Sequence, residues 1–272
     1  MSPSERQNAI VEHLDAVGGC LYQDQAQRLN VSEMTIRRDI DRLVQQRSVI
    51  KTLGGVQTAR APGHLYESPI QQRLPIHRAE KEQIAREALR QIQPHQTVFL
   101  DGGTTCLVLA RHLAKKLRGL TVITHSAMVC MEFGRVAESD NTVFMLGGQF
   151  DARGACFVGP TAEESARRFF VDAAFFSTKG FLPQEGTFES SIATIRIKQI
   201  VAEQAARVVL LADHSKFGQG ALCKALDIKQ IHEVVTDAGT SASDLALIEQ
   251  LGVAVRVGQG EIAAMEAASH AG

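Results

Sequence analysis

Seven short aliphatic, β-branched runs recur beyond Pro94: Thr97–Leu100, Thr121–Thr124, Thr142–Leu146, Ala173–Thr178, Val208–Ala212, Val234–Thr236 and Val253–Val257. Helical periodicity fills the gaps, near residues 105–117, 127–138, 161–170, 191–206 and 242–251. Such alternation predicts a Rossmann-like α/β domain, a mostly parallel sheet covered by helices. In sheets of this kind ligands bind outside the carboxyl ends of the strands.

Those ends carry the polar residues. The first run passes into Asp101-Gly102-Gly103-Thr104-Thr105 and then a helix. Two glycines let a backbone approach an anion, and threonine hydroxyls with free helix-start amides suit a phosphate. The second run ends in Thr124-His125-Ser126, the third in Gly147-Gly148, the fourth in Lys179-Gly180 and the fifth in Asp213-His214-Ser215-Lys216. Lysines and hydroxyls suit an anionic, polyhydroxylated ligand, and Asp101 and Asp213 suit sugar hydroxyls. Singly, each ending is an ordinary turn or a solvated charge.

The N-terminal segment has a different pattern. Ile10, Leu14 and Val17 recur at helical spacing, and Asp24–Leu29 reads as a short second helix. Asn30-Val31-Ser32 is a tight turn, with Ser32 as N-cap of a third helix. Ile36, Ile40, Leu43 and Val44 form its apolar stripe, while Met34, Arg38, Arg42 and Gln45 point away and Arg37 flanks it. Helix, helix, turn, helix places the third as the one that lies in a major groove. Ser48–Gly55 is β-rich and ends in a glycine pair, which predicts a hairpin wing. From Ile36 to Arg60 there are six basic residues (Arg37, Arg38, Arg42, Arg47, Lys51, Arg60) against Asp39 and Asp41. The whole chain has net charge −1, so the positive charge is focused locally.

Val31-Ser32, Thr35-Ile36-Arg37-Arg38-Asp39, Leu43 and the wing ending Gly54-Gly55 closely resemble the DeoR family of bacterial transcriptional regulators. The resemblance continues through Glu80-Lys81, Asp101–Thr105, Gly147-Gly148, Lys179-Gly180, Gly186-Thr187 and Leu211–Phe217, covering about Arg6 to Val257. Arg47-Ser48 stands where the family has a glycine, and Thr124-His125-Ser126 where it commonly has Thr-Asn-Ser. The resemblance implies a winged helix-turn-helix head and a ribose-5-phosphate-isomerase-like effector domain sensing phosphorylated sugars.

The expected organisation is a winged helix-turn-helix domain over residues 1–57, a linker over 58–76, an α/β effector-binding domain over 77–260 and a tail over 261–272. The candidate DNA contacts are Ser32, Thr35, Arg37, Arg38, Arg42 and Lys51. The candidate effector contacts are Asp101, Gly102, Gly103, Thr104, Thr105, Thr124, His125, Ser126, Lys179, Gly180, Asp213, Ser215 and Lys216. With the DeoR resemblance these imply a repressor of a carbohydrate-catabolism operon, with operator DNA and a phosphorylated sugar as partners. Two-fold operator reading predicts a homodimer or homotetramer. The alternative is a sugar-phosphate isomerase-like enzyme with an added head, using Asp101, Asp213, His125 or Lys179 as acid and base. No adjacent acid–base pair supports it, and an isomerase has no use for a basic recognition helix.

Composition agrees. A hydrophobic content of 44% supports a real core in 272 residues, and 5% aromatics without tryptophan argue against stacking single-stranded nucleic acid. Five scattered cysteines without a CxxC pair read as reduced thiols, with no metal site or cofactor expected. No signal peptide or membrane span is read, which predicts a cytoplasmic protein.

Overall fold

The computed structural model describes residues 2–17, 19–46, 48–52, 55–58, 68–136 and 140–259. The chain divides into two compact units, one ending at Arg73 and the other beginning at Leu74. Arg47, Leu53, Gly54, residues 59–67 of the expected linker (Arg60 among them) and the expected tail lie outside the described residues.

The first unit is α1 (Pro3–Val17), β1 (Gly19–Leu21), α2 (Tyr22–Leu29), α3 (Glu33–Gln45), β2 (Val49–Thr52), β3 (Gly55–Thr58) and α4 (Ile70–Arg73). Ile10, Leu14, Ile36, Ile40 and Leu43 meet in its core with Tyr22, Val49 and Val56. Asn30 takes the left-handed conformation that ends α2. β2 and β3 form the expected wing hairpin. The sequence reading missed β1, which pairs with β3 to make a three-stranded sheet. Three residues are too few for a periodicity signal. Gly55 therefore lies within a strand: a Cβ there would stand 2.3 Å from the Cys20 carbonyl oxygen. In the stretch expected to be linker, Ile70 is fully buried.

The second unit is α5 (Arg78–Leu89), β4 (Thr97–Leu100), α6 (Thr104–Lys116), β5 (Thr121–Thr124), α7 (Ala127–Gly134), β6 (Thr142–Met145), β7 (Gln149–Asp151), β8 (Cys156–Val158), α8 (Pro160–Ala166), β9 (Ala173–Ser177), β10 (Gly180–Leu182), β11 (Gly186–Glu189), α9 (Ile192–Glu203), β12 (Val208–Leu211), β13 (Cys223–Asp227), β14 (Glu233–Asp237), α10 (Ala242–Gln250) and β15 (Ala254–Gly258). Seven strands form one sheet in the order β15-β14-β12-β9-β4-β5-β6, and every described pairing in it is parallel. Alternate strand residues feed two apolar layers. Val98, Leu100 and Phe175 face α5 and α6, while Phe99, Phe176 and Leu210 face α8 and α9. From β4 the chain runs outward to β5 and β6, then returns to place β9 on β4's other side. The order reverses between β4 and β9, and a crevice opens at such a switch point.

The hairpin β7–β8 and the antiparallel sheet β10-β11-β13 were not expected from the sequence. Their strands are short and interrupted by turn residues, so neither period stands out. Lys81 was readable as a solvated helix charge, but it is 4% exposed and its Nζ donates to the Ile76 carbonyl at 2.6 Å.

Asp39 was counted against the basic face of α3. It is 1% exposed and lies on the core side, bonded to Arg6 Nε at 2.5 Å and Gln7 Nε2 at 3.1 Å. Asp39→Ala should destabilise the first unit by about 1–3 kcal/mol, since it strands a partly buried guanidinium. Urea denaturation followed by circular dichroism measures this.

Candidate functional site

The outer face of α3 is set by its start. Ser32 Oγ accepts from Thr35 N at 3.2 Å and lies 2.9 Å from Thr35 Oγ1. Arg37 bonds Glu33 through Nε at 3.1 Å and lies over the Tyr22 ring, 4.4 Å from its centroid. Three of the candidate DNA contacts, Ser32, Thr35 and Arg37, are therefore engaged within the head. Arg38 and Arg42 are exposed, with no side-chain partner among the described residues. Lys51 on β2 pairs with Asp41 of α3. Both ends of that pair are about half exposed, so it is weak and a phosphate can replace the aspartate.

In the second unit, Asp101 follows β4 and faces the end of β9 across the switch point. Its Oδ2 accepts from Ser177 N at 3.1 Å and Ser177 Oγ at 2.7 Å, and its Oδ1 lies 3.2 Å from His125 Nε2. Lys198 reaches in from α9. Its Nζ lies 3.1 Å from Asp101 Oδ2, donates to the Ser177 carbonyl at 2.6 Å and pairs closely with Glu189. Asp101, Glu189 and Lys198 are each at most 6% exposed. Burial pushes the Asp101 carboxyl up, but Lys198, His125 and Ser177 outweigh it and hold it well below the usual carboxylate range. Burial lowers the Lys198 ammonium's proton affinity, and the Asp101 and Glu189 carboxylates more than reverse this. Both groups stay charged at neutral pH.

The loop's glycines have a different reason from the one the sequence suggested. A Cβ at Gly103 would stand 1.7 Å from Ser177 Oγ, and one at Gly102 would stand 2.2 Å from Cys156 Sγ. The glycines make room for these protein neighbours. Asp101 is no open acceptor for sugar hydroxyls. Thr124 Oγ1 donates to the Leu100 carbonyl at 2.7 Å, and Ser126 Oγ caps α7 through Val129 N. His125 stacks on Phe99, and its Nε2 lies 3.2 Å from Gly102 N as well as from Asp101 Oδ1. Asp101, Thr124, His125 and Ser126 thus make a scaffold.

The start of α6 is uncapped by contrast, and its Thr104 and Thr105 are buried. Gly103 is its N-cap and supplies no side-chain cap, and Leu107 is the first helix amide to find a carbonyl, Gly103 O at 3.0 Å. Thr104 and Thr105 sit there with hydroxyls that have no partner among the described residues. Two strand spacings away, about 10 Å, Asp213 bonds Ser215 N at 3.0 Å and stands 3.9 Å from Lys216 Nζ. Asp213 Oδ2 is buried without a hydrogen bond. Burial raises the Asp213 carboxyl, but Lys216, Ser215 and His77 bring it below its usual range. His214 bonds Asp237 through Nδ1 at 2.8 Å and meets the His77 ring edge-on at 5.5 Å. Lys179 is half-buried and Gly180 starts β10, where a Cβ would stand 2.3 Å from the Gln219 carbonyl oxygen. No group of three or more potential metal ligands occurs among the described residues.

Residues 6–61 match the DeoR-like helix-turn-helix domain, and residues 76–238 match the DeoR C terminal sensor domain. The chain belongs to the DeoR family. It is a DNA-binding transcriptional regulator. The uncharacterised regulator YgbI of Escherichia coli is 31% identical over 92% of this chain and 96% of its own. The regulator GlpR of Haloferax volcanii is 31% identical over 94% and 98%. The glycerol-3-phosphate regulon repressor of Escherichia coli is 27% identical over 91% and 96%. A solved D-ribose-5-phosphate isomerase overlaps 50% of the chain and 52% of its own at 17% identity, with a TM-score of 0.38. The α/β assignment rests on the strand order, not on that overlap.

Sequence reasoning missed Ser177, Glu189 and Lys198 in this DeoR-family sensor domain. A signal was available for Lys198: it lies three residues after Ile195 on the apolar side of α9, where a lysine must find buried carboxylates. Removing that cation leaves Asp101 and Glu189 buried without it. Lys198→Met should destabilise the sensor unit by about 3–5 kcal/mol near neutral pH. In the wild type, Asp101's contribution is present above about pH 4 and lost as pH falls lower. That of Lys198 is present below about pH 10 and lost as pH rises further. In the variant a buried carboxyl resists ionising, so the deficit should grow from pH 5 to pH 8. Urea midpoints across that range test this.

Proposed function

We propose that this DeoR-family regulator represses a carbohydrate operon and is released when a phosphorylated sugar or related metabolite binds at the sheet's carboxyl ends. The observation that carries this reading is the uncapped start of α6. Partial positive charge from its unpaired amides, with the Thr104 and Thr105 hydroxyls, faces the switch-point crevice on a rigid buried scaffold. Lys216 and the buried Asp213 Oδ2, an ion pair at 3.9 Å with no hydrogen bond to that oxygen, supply a cation and an acceptor for the rest of the molecule. The glycerol-3-phosphate regulon repressor among the relatives supports a phosphorylated polyol as the class. A homodimer or homotetramer, acting in the cytoplasm where operator DNA lies, belongs to the same proposal.

The isomerase reading is weaker because Asp101 and His125 are tied to each other and Asp101 to Lys198. The test is a DNA sequence selected from a random pool by the full-length protein, then titrated with glycerol, pentose and hexose phosphates. An effective ligand should change DNA affinity by about 5- to 150-fold, and DNA should change ligand affinity equally. Turnover of a sugar phosphate, or no selected sequence, overturns the proposal.

Arg38→Ala should cost about 1–3 kcal/mol of discrimination in each half-site. Lys51→Ala should weaken binding to all sequences alike and reduce the salt slope by about 1. Fluorescence anisotropy with selected and scrambled DNA separates the two effects.

Lys216→Ala should weaken the sugar phosphate while leaving DNA affinity intact, so that a reporter stays repressed in cells fed the inducing sugar. Normal induction would place the phosphorylated ligand elsewhere.

A further inference from the structure

Met34 is 64% exposed, ahead of Leu21 at 53% and Ile50 at 43% among the large apolar side chains of the first unit. It is the second residue of α3, in the turn whose start is fixed by left-handed Asn30 and the Ser32 cap. Residues at the start of a groove-lying helix come nearest to base edges. Met34, Arg38 and Arg42 follow one another at four-residue spacing on the outer face, opposite Ile36, Ile40 and Leu43.

The polar neighbours of Met34 are occupied. Ser32 and Thr35 hold each other, and Glu33 is paired with Arg37, which also covers Tyr22. That pairing neutralises the one carboxylate in the first turn, which would otherwise repel phosphates. An unbranched thioether is thus the outward group left unengaged in the turn.

We propose that Met34 is a base-reading residue that packs on the C5-methyl group of a thymine in the major groove. The proposal rests on the DNA-binding reading of α3. The thymine methyl is the apolar feature of the major-groove edge, and a flexible, polarisable side chain adapts to it. Four helical residues advance about 6 Å, at most about two base pairs. The thymine should therefore lie within that distance of the pair read by Arg38.

Replacing thymines one at a time by deoxyuridine in the selected DNA removes only the methyl. At one position per half-site the wild type should bind about four-fold more weakly, the worth of one buried methyl-sized group. Met34→Ala should lose about the same on unmodified DNA and become indifferent to deoxyuridine there. Its salt slope and non-specific affinity should not change. Met34→Leu should keep the methyl sensitivity. Met34→Ala that still loses four-fold on deoxyuridine, or a wild type indifferent at every thymine, overturns the proposal. If the wild type selects no DNA sequence, the DNA-reading assignment falls first and this proposal with it.

Discussion

The sensor unit is organised around one buried ammonium. Lys198 gives up water to sit between Asp101 Oδ2, Glu189 and the Ser177 carbonyl, and a cation so placed is tolerable only when fully surrounded by acceptors. Those acceptors come from the end of β4, the end of β11 and the end of β9, so one side chain of α9 holds three strand ends in register. The reversal of strand order between β4 and β9 would otherwise leave a loose crevice. Asp101 braces its walls, with Oδ2 bonded to Ser177 on one side and Oδ1 3.2 Å from His125 Nε2 on the other.

That tie explains the rest of the loop. Ser177 Oγ occupies the space a side chain at position 103 would need, and Cys156 and His125 occupy the space above Gly102. The glycines, the aspartate and the Thr124-His125-Ser126 segment are spent on rigidity. Rigid positioning is what a binding site needs from such residues, because it leaves the amides of α6 oriented before any ligand arrives. His125 fits here as a packed scaffold residue, stacked on Phe99 with Nε2 3.2 Å from both Asp101 Oδ1 and the Gly102 amide.

The head uses ion pairs of two kinds. Asp39 with Arg6 is buried and joins α3 to α1, so it belongs to the fold. Lys51 with Asp41, and Arg37 with Glu33, are exposed and hold little energy against solvent. The first kind fixes where α3 lies. The second leaves its outer face able to exchange an internal carboxylate for an external phosphate.

Seven apolar runs at regular intervals, and a helix with four aliphatic residues on one side and arginines on the other, are local patterns. They determined the parallel sheet, the helix-turn-helix with its wing hairpin and the class of regulator, because periodicity and the DeoR motifs are written residue by residue. Short strands such as Gly19–Leu21 and Gln149–Asp151 left no such trace, since their pairing depends on a partner distant in the chain. The roles of individual polar residues also escaped. Asp101 and Ser177 are 76 residues apart, and Lys198 lies 97 positions beyond Asp101 (198 − 101), so no spacing rule links them. Only the folded sheet decided which carboxylate is buried, which glycine is crowded and which helix start is left uncapped, because each depends on what the reversal of strand order brings alongside.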